Sequence, residues 1–276
     1  MNSKITIAIC SKNSLNLLIN SIPRIIDCDP YEVILVDGNS TDGTVEFIKN
    51  QFSAVKIYSD EGLGLSYARR VAVENATGDL ILFIGPDNLI NNNFIEQFAN
   101  FLEKSDYCAI SAQTRVESPV KNFWDNGLDL RWKYLMGKPG EINVAGTPSL
   151  YYLSILKKIN FSKNNFGPSD DTDLADRLRK AGYKIGLSPI LVHDKNNWSR
   201  KEIWAKFFWY GTGDYYYYNS NKGNWRMLRK IKSILHPMRQ SIKFSIISLF
   251  EFNLKGSIWF IYTMFARYSG WISKIK

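Results

Sequence analysis

Four aspartates fall within seven positions of the segment GPSDDTDLADRLRKAGY, at Asp170, Asp171, Asp173 and Asp176. Carboxylates set this close repel one another, and the chemistry that wants them together is proton abstraction or cation binding. The stretch reads as a helix start, with Ser169 placed to cap it and Leu174, Leu178 and Ala181 forming an apolar stripe. Asp173 has Arg177 four residues on and Asp176 has Lys180, both in the favourable acid-first order. The same offset from Asp170 and Asp171 lands on Leu174 and Ala175. The helix dipole favours negative charge in the first turn and by itself accounts for both.

The elements that must position these groups are legible as a rhythm. The apolar runs ITIAIC (5–10), EVILVD (32–37), VKIYSD (55–60) and DLILFI (79–84) read as buried parallel strands, continuous rather than alternating. Residues 14–27, 43–52 and 64–76 carry helical spacing between them, and a helix over about 91–104 and a strand at 108–114 follow. This is an α/β pattern, an open sheet with helices on both faces. Residues 115–150 read as an irregular, substrate-facing loop region, and YKIGLSPILVHD as one or two short strands ending at His193. In such sheets ligands bind beyond the carboxyl ends of the strands. Those ends read CSKN, DGNSTDGT, DEGLG and GPDN, so three of the four bring carboxylates to one rim. Turn formation explains any one of them; it explains all three, together with the aspartate helix, less well.

The alternatives narrow quickly. No GxGxxG follows the first strand, no GxxxxGK[ST] or GxSxG occurs, and the histidines number only two. Cys10, Cys28 and Cys108 form no CxxC pair, which argues against a disulfide framework and a cysteine zinc site; Cys10 and Cys108 read as small core residues. The apolar part of the N-terminus is too short for a signal peptide, and the best apolar run, SIWFIYTMFA (257–266), is about half a membrane span. A cytoplasmic location is expected. What remains is a carboxylate-rich, glycine-permissive site with one histidine nearby, suited to a divalent metal and a diphosphate.

VILVDGNSTDGT, GLGLSYARRVAVENATGDLILFIGPDN, DDTDLADRLRKAGYKI and PILVHD together resemble family 2 glycosyltransferases, inverting enzymes of GT-A fold. The likeness runs from Ile5 to roughly Gly213. It implies a GT-A (Rossmann-like), mostly parallel sheet over residues 1–213 and a sugar moved from a nucleotide-diphospho-sugar donor to an acceptor hydroxyl. It further implies that Asp37 accepts a hydrogen bond from the donor's base, that Asp42 sits against the same nucleotide, and that Ser11 helps cradle the base. Arg69, one helical turn past Gly64, would reach the nucleotide; a surface ion pair with Glu61 or Glu74 is its other reading. Asp87 corresponds to the last acid of the family's DxD and would hold Mn²⁺ or Mg²⁺, with His193 as a second ligand or as a structural residue. The sequence departs from the family at the first acid of that motif, which is Gly85, followed by Pro86. Asp171 would be the general base toward the acceptor, with Asp170 orienting the acceptor or a loop.

From Trp198 onward the chain holds 14 Lys and Arg against 3 Asp and Glu, where residues 1–197 hold 21 against 23. The same tail carries 20 of the 39 aromatic residues. On a wheel, NWRMLRKIKSIL (224–235) separates Met227, Leu228, Ile231, Ile234 and Leu235 from Arg226, Arg229, Lys230 and Lys232. That is a basic amphipathic helix, suited either to an anionic membrane surface or to packing on its own domain. Residues 214–276 are therefore expected to form a helical extension that meets the cytoplasmic face of a membrane or another copy of the chain. Apolar, tryptophan-bearing helical segments over 238–272 point the same way. The acceptor would be a lipid-linked or polysaccharide glycan. Two other readings of the sequence are a catalytically impaired nucleotide-sugar binder, because of Gly85, and a nucleic-acid-binding protein using the basic tail. No RRM or KH signature supports the latter, and no nucleic-acid partner is expected.

Overall fold

The computed structural model describes residues 3–117, 122–163, 167–195 and 197–275. In chain order the elements are β1 (Ile5–Ser11), α1 (Leu15–Ile26), β2 (Glu32–Asp37), α2 (Thr44–Gln51), β3 (Lys56–Ser59), α3 (Leu65–Asn75), β4 (Leu80–Ile84), β5 (Asn88–Leu89) and α4 (Phe94–Glu103). There follow β6 (Ala109–Glu117), α5 (Phe123–Leu135), β7 (Gly140–Ile142), β8 (Ser149–Tyr152), α6 (Leu153–Lys158), α7 (Asp170–Lys180), β9 (Ile185–Lys195), α8 (Arg200–Asn221), α9 (Met227–Ile234), α10 (His236–Phe250) and α11 (Leu254–Ile272). The chain divides into two compact units. The first comprises Met1–Thr114, Lys138–Asn165 and Asp171–Lys195; the second comprises Arg115–Gly137, Phe166–Asp170 and Asn196–Lys276.

The first unit is built on a nine-strand, mostly parallel sheet in the order β3-β2-β1-β4-β8-β6-β9-β5, with β7 against β9. β3, β2, β1 and β4 are mutually parallel; β8 is antiparallel to β4 and β6 to β8, so β6 runs with the first four. The continuous apolar runs are explained by burial on both faces. Ile7 and Ile9 of β1 pack on one side with Leu18 and Ile22 of α1. Ala8, between them, faces the other side with Ala68 and Ala72 of α3. Small residues there let the helix lie close to the sheet.

Three expectations change. Residues 115–150 contain α5, capped by Asn122, whose side chain accepts from the backbone of Trp124 and Asp125, as well as β7 and β8. Two of these are too short to register as periodicity, and the glycines and prolines around them masked all three. The chain after α7 forms one strand, β9, which continues past His193 to Lys195. The basic amphipathic helix is α9, Met227–Ile234, preceded by a 3₁₀ turn at Lys222–Asn224, and buries none of its residues.

The second unit is aromatic. Leu128, Ile203, Phe207, Phe244, Trp259 and Phe260 are buried together. The tryptophans of α11, Trp259 and Trp271, belong to the interior. α8 and α11 cross closely: a Cβ on Gly211 would lie 1.8 Å from Arg267 O and one on Gly270 1.9 Å from Phe208 O. Beside this crossing Arg267 Nε donates to Asp214 Oδ2 at 2.5 Å. Gly213, the expected end of the sheet domain, lies inside α8. Among the described residues no helix is long and apolar enough to cross a membrane.

One buried acid ties the near end of the sheet together. Glu32, first residue of β2, accepts from Thr6 Oγ1 at 2.6 Å, Lys56 Nζ at 2.6 Å and the Thr77 backbone at 2.9 Å. Burial works against its ionisation, but these bonds outweigh it and hold the carboxyl below the usual range. The stability it contributes is present above the unfolded carboxylate's pKa and is lost as pH falls through the lower folded value. Glu32→Gln should therefore lower the unfolding free energy near pH 7 by about 1–3 kcal/mol and flatten the acid limb of the stability–pH curve. Denaturant titrations from pH 7 to pH 3 check this; an unchanged acid limb would show that the carboxylate is not the group responsible.

Candidate functional site

β1 and β2 are parallel neighbours whose register sets Ser11 opposite Asp37, each the last residue of its strand. Both are buried, at 7% and 6% exposure. Asp37 Oδ2 accepts the Ser40 N–H at 2.8 Å. Asp37 Oδ1 and Ser11 Oγ are buried and have no hydrogen-bond partner among the described residues. A buried polar atom left so costs roughly 1–3 kcal/mol. Two of them paired across strand ends, at the rim where α/β sheets take ligands, form an acceptor and a hydroxyl ready for a polar planar group.

Asp42 lies in the loop that follows, and its carboxylate is engaged within the protein. Oδ2 accepts the Leu15 N–H at 2.9 Å, at the first turn of α1, and Oδ1 accepts Thr44 Oγ1 at 2.6 Å and Thr44 N at 3.1 Å, at the start of α2. Burial opposes its ionisation, yet these bonds outweigh it and hold the carboxyl below its usual range. Asp42 is thus a clasp between two helix starts. Gly64 is the residue before α3, at φ 93°, a conformation that suits glycine. Its N–H goes to Asp60 Oδ2 at 3.1 Å, and Gly62 N to Asp60 Oδ1 at 2.8 Å. The sequence reading gave buried Asp60 no role; an acid followed by glycines two and four residues on was the available signal.

Arg69, on α3, donates to Thr147 Oγ1 at 2.8 Å and lies over the rings of Phe83 and Phe161, with 5.8 and 5.6 Å to their centroids. Phe83 is in β4, so the guanidinium is held at that strand's carboxyl end. The ion pair with Glu74 is made instead by its neighbour Arg70, at 2.8 Å.

Beyond β4 the chain turns through Gly85, Pro86 and Asp87. A Cβ on Gly85 would lie 2.6 Å from Asp87 Oδ1 and 3.1 Å from Asn88 Oδ1. The half-buried Asp87 carboxylate therefore lies where the side chain of an acid at 85 would begin. Asn88 holds the turn: its Oδ1 accepts Gly85 N at 2.6 Å and its Nδ2 donates to Asp194 Oδ1 at 2.5 Å. Asn88 and Asp194 are both buried and 106 residues apart in sequence, so no local pattern marks them. Asp87 O accepts Lys195 N at 2.7 Å, and Leu89 stands opposite His193, which makes Asp87 and His193 diagonal neighbours on the β5–β9 ladder. His193 is exposed. No group of three His, Cys, Asp or Glu side chains suited to a metal exists among the described residues.

Ser169 ends a 3₁₀ turn, Gly167–Ser169, that leads directly into α7. Asp170, the first residue of α7, is buried; Asp171 is half-buried and its Oδ1 accepts Thr172 N at 2.6 Å. Asp173 pairs with Arg177 at 2.7 Å as expected. Asp176 pairs with Arg179 rather than with Lys180. The i,i+3 partner wins because Arg179 also reaches Asn143, at 3.0 Å, and its planar fork serves both acceptors at once.

Residues 6–159 match the family described as Glycosyl transferase family 2, more than half of the 276 residues. The chain belongs to glycosyl transferase family 2. The residues expected on the donor side, Ser11 to Asp87, lie inside the matched stretch of this family 2 member, whereas Asp170, Asp171 and His193 lie beyond it. The chain is 32% identical over 180 residues to a dolichyl N-acetyl-alpha-D-glucosaminyl phosphate 3-beta-D-2,3-diacetamido-2,3-dideoxy-beta-D-glucuronosyltransferase of Methanococcus voltae, covering 59% of this chain and 56% of that protein. It is 28% identical over 102 residues to a cholesterol galactosyltransferase of Borreliella burgdorferi, covering 35% and 28%. The matches thus span about half or less of these relatives. Among solved structures, the mannosyltransferase PcManGT from Pyrobaculum calidifontis, in complex with GDP-Man and Mn²⁺, superposes with a TM-score of 0.68 at 15% identity, over 99% of this chain and 88% of that one. S. aureus TarS 1–349 with UDP-GlcNAc gives 0.57 at 14% identity, over 87% and 73%. At such identities the likeness is one of fold, and the fold is GT-A.

The clasp and the strand-end pair are separable by experiment. Asp42→Ala leaves the Leu15 and Thr44 N–H groups without their acceptor and should lower stability by about 1–2 kcal/mol. Nucleotide affinity of the folded protein should stay within about twofold, as read by calorimetry with UDP and GDP below the melting transition. A large affinity loss with unchanged melting would make Asp42 a direct nucleotide contact.

Proposed function

We propose that this glycosyltransferase moves a sugar from a nucleotide-diphospho-sugar to an acceptor hydroxyl with inversion at the anomeric carbon, the acceptor being a lipid-linked or polysaccharide glycan. The observation that carries the reading is the buried pair Ser11 Oγ and Asp37 Oδ1, adjacent at the ends of β1 and β2 and without partners among the described residues. A carboxylate oxygen beside a hydroxyl matches the N–H and C=O edge of a nucleobase. Arg69 then serves the diphosphate from the end of β4, with Gly64 shaping the start of its helix and Asp42 the loop beside the base.

Asp87 and His193 would hold Mn²⁺ or Mg²⁺, which when bound neutralises the diphosphate and stabilises it as a leaving group. One carboxylate and one imidazole fit an ion that takes its other ligands from phosphate and water. Asp171 takes the proton from the acceptor hydroxyl as that oxygen attacks opposite the nucleotide. Its half-exposed place at the α7 N-terminus supports this, since the helix dipole favours the ionised form. Buried Asp170 is assigned an orienting role. Two relatives are named for cholesterol and dolichyl substrates, which favours a lipid-linked acceptor. The exposed apolar residues and basic residues of α9 support peripheral attachment at the cytoplasmic face of an anionic membrane, where such an acceptor is reached.

Asp37→Ala and Asp171→Asn should fail in opposite ways. The first should weaken binding of UDP or GDP, whichever the wild type binds; the second should leave that affinity intact and cut transfer by ~10²–10⁴-fold. Wild-type turnover in Asp171→Asn, or unchanged nucleotide affinity in Asp37→Ala, removes the corresponding assignment. For the metal, Asp87→Ala should weaken nucleotide diphosphate binding in Mn²⁺ and change little in EDTA. Equal losses in both buffers would show that Asp87 acts without an ion; a His193→Ala variant run beside it reports whether the imidazole shares the task.

A further inference from the structure

The turn joining α10 to α11 is held with unusual firmness for an exposed segment. Phe252 N donates to Leu249 O at 3.0 Å and Asn253 N to Ser248 O at 2.8 Å, the bond pair that closes a helix around a left-handed residue. Ser248 Oγ donates to Asn253 O at 2.8 Å, and Gly256 N to Asn253 Oδ1 at 2.8 Å, which starts α11. Glu251 accepts from Lys133 Nζ and Tyr134 Oη, each at 2.8 Å. The left-handed residue is Phe252, at φ 54°, a position where glycine is the ordinary choice because a Cβ is disfavoured there. Phe252 is 98% exposed, and Phe250 and Leu254 on either side of it are 81% and 63% exposed. In water this sequence is unfavourable twice over, in backbone strain and in bare aromatic surface. The turn's hydrogen bonds hold the strained residue in place, and among the described residues nothing covers its side chain.

We propose that residues 250–254 form a rigid apolar wedge that enters the headgroup–acyl boundary of an anionic lipid bilayer. The proposal rests on the membrane-surface reading above and locates the insertion point away from α9. Each flanking helix continues the apolar surface: Ile242, Ile246 and Leu249 recur along α10, and Ile258, Ile261 and Phe265 along α11, all exposed and each set on one helical face. Exposed Arg239, Lys243 and Lys255 lie among them. The acids of the tail are engaged internally: Glu202 in a capping box with Ser199, Asp214 by Arg267, Glu251 by Lys133. An apolar surface rimmed by cations and free of uncompensated acid matches anionic lipid. A second copy would set the tail's surplus of 14 basic over 3 acidic residues against itself.

The test uses the full chain and sedimentation with phosphatidylglycerol-containing or pure phosphatidylcholine vesicles. Wild type should bind the anionic vesicles. Phe252→Gly should melt at the same or a higher temperature, since it relieves the left-handed strain, and yet partition about tenfold or more weakly. Phe250→Ser should lose binding likewise, without touching the strained position. The wedge is overturned, and the membrane reading kept, if both variants bind as wild type while Lys230→Glu/Lys232→Glu does not. Failure of the wild type on both vesicles overturns the two together. A wild-type dimer in light scattering that Phe252→Gly dissolves would assign the surface to self-association and overturn the wedge.

Discussion

A parallel sheet covered on both faces leaves polar chemistry one outlet, the rim at its strand ends. β1, β2 and β4 are enclosed by helices above and below, so between the Glu32 end and the carboxyl ends of the strands their side chains leave no room for a charged group. Ser11 and Asp37 come at that stop, one register pair across, and Gly85 to Asp87 come just beyond β4. The donor site proposed here is a consequence of where the parallel ladder runs out.

What separates a binding group from a supporting one at this rim is the fate of its lone pairs. Asp42 and Asp60 use their oxygens on backbone N–H groups of the loops and helix starts around them. Asn88 spends its amide on Gly85 and Asp194. Asp37 keeps one oxygen for a ligand, beside a hydroxyl in the same condition. Acids of one residue type, all near the same strand ends, thus divide into those that shape loops and one with a free oxygen, to which the proposal gives the base. A rim loop tied by hydrogen bonds holds the atoms of the proposed site in place before any ligand arrives.

The second unit answers to a different constraint. Its helices bury large aromatic rings, and α8 and α11 approach so closely that only glycine fits at Gly211 and Gly270. Burying the tryptophans there leaves phenylalanine and isoleucine for the surface of α10, α11 and their turn. It is on that exposed apolar surface that the membrane proposal rests.

The α/β class, the first four strands and the location of the rim were legible in the amino-acid sequence, because buried parallel strands must be continuously apolar and their ends must carry the polar residues. Asp37 and Asp87 were legible as candidates for the same reason, since one closes and the other follows a continuously apolar strand, whereas Asp171 stood out as one of four aspartates in seven positions. α5 and β8 were not, since their burial is supplied by partners distant in sequence and leaves no local period. Composition alone could not divide Asp37 from Asp42, because one carboxylate differs from another only in which donors the folded chain brings to it. It could not tell the buried Trp259 from the exposed Phe252 either, for both lie in apolar, aromatic sequence. Only packing decides which ring the interior accepts, and only a hydrogen-bonded helix end fixes a phenylalanine where glycine would be easier.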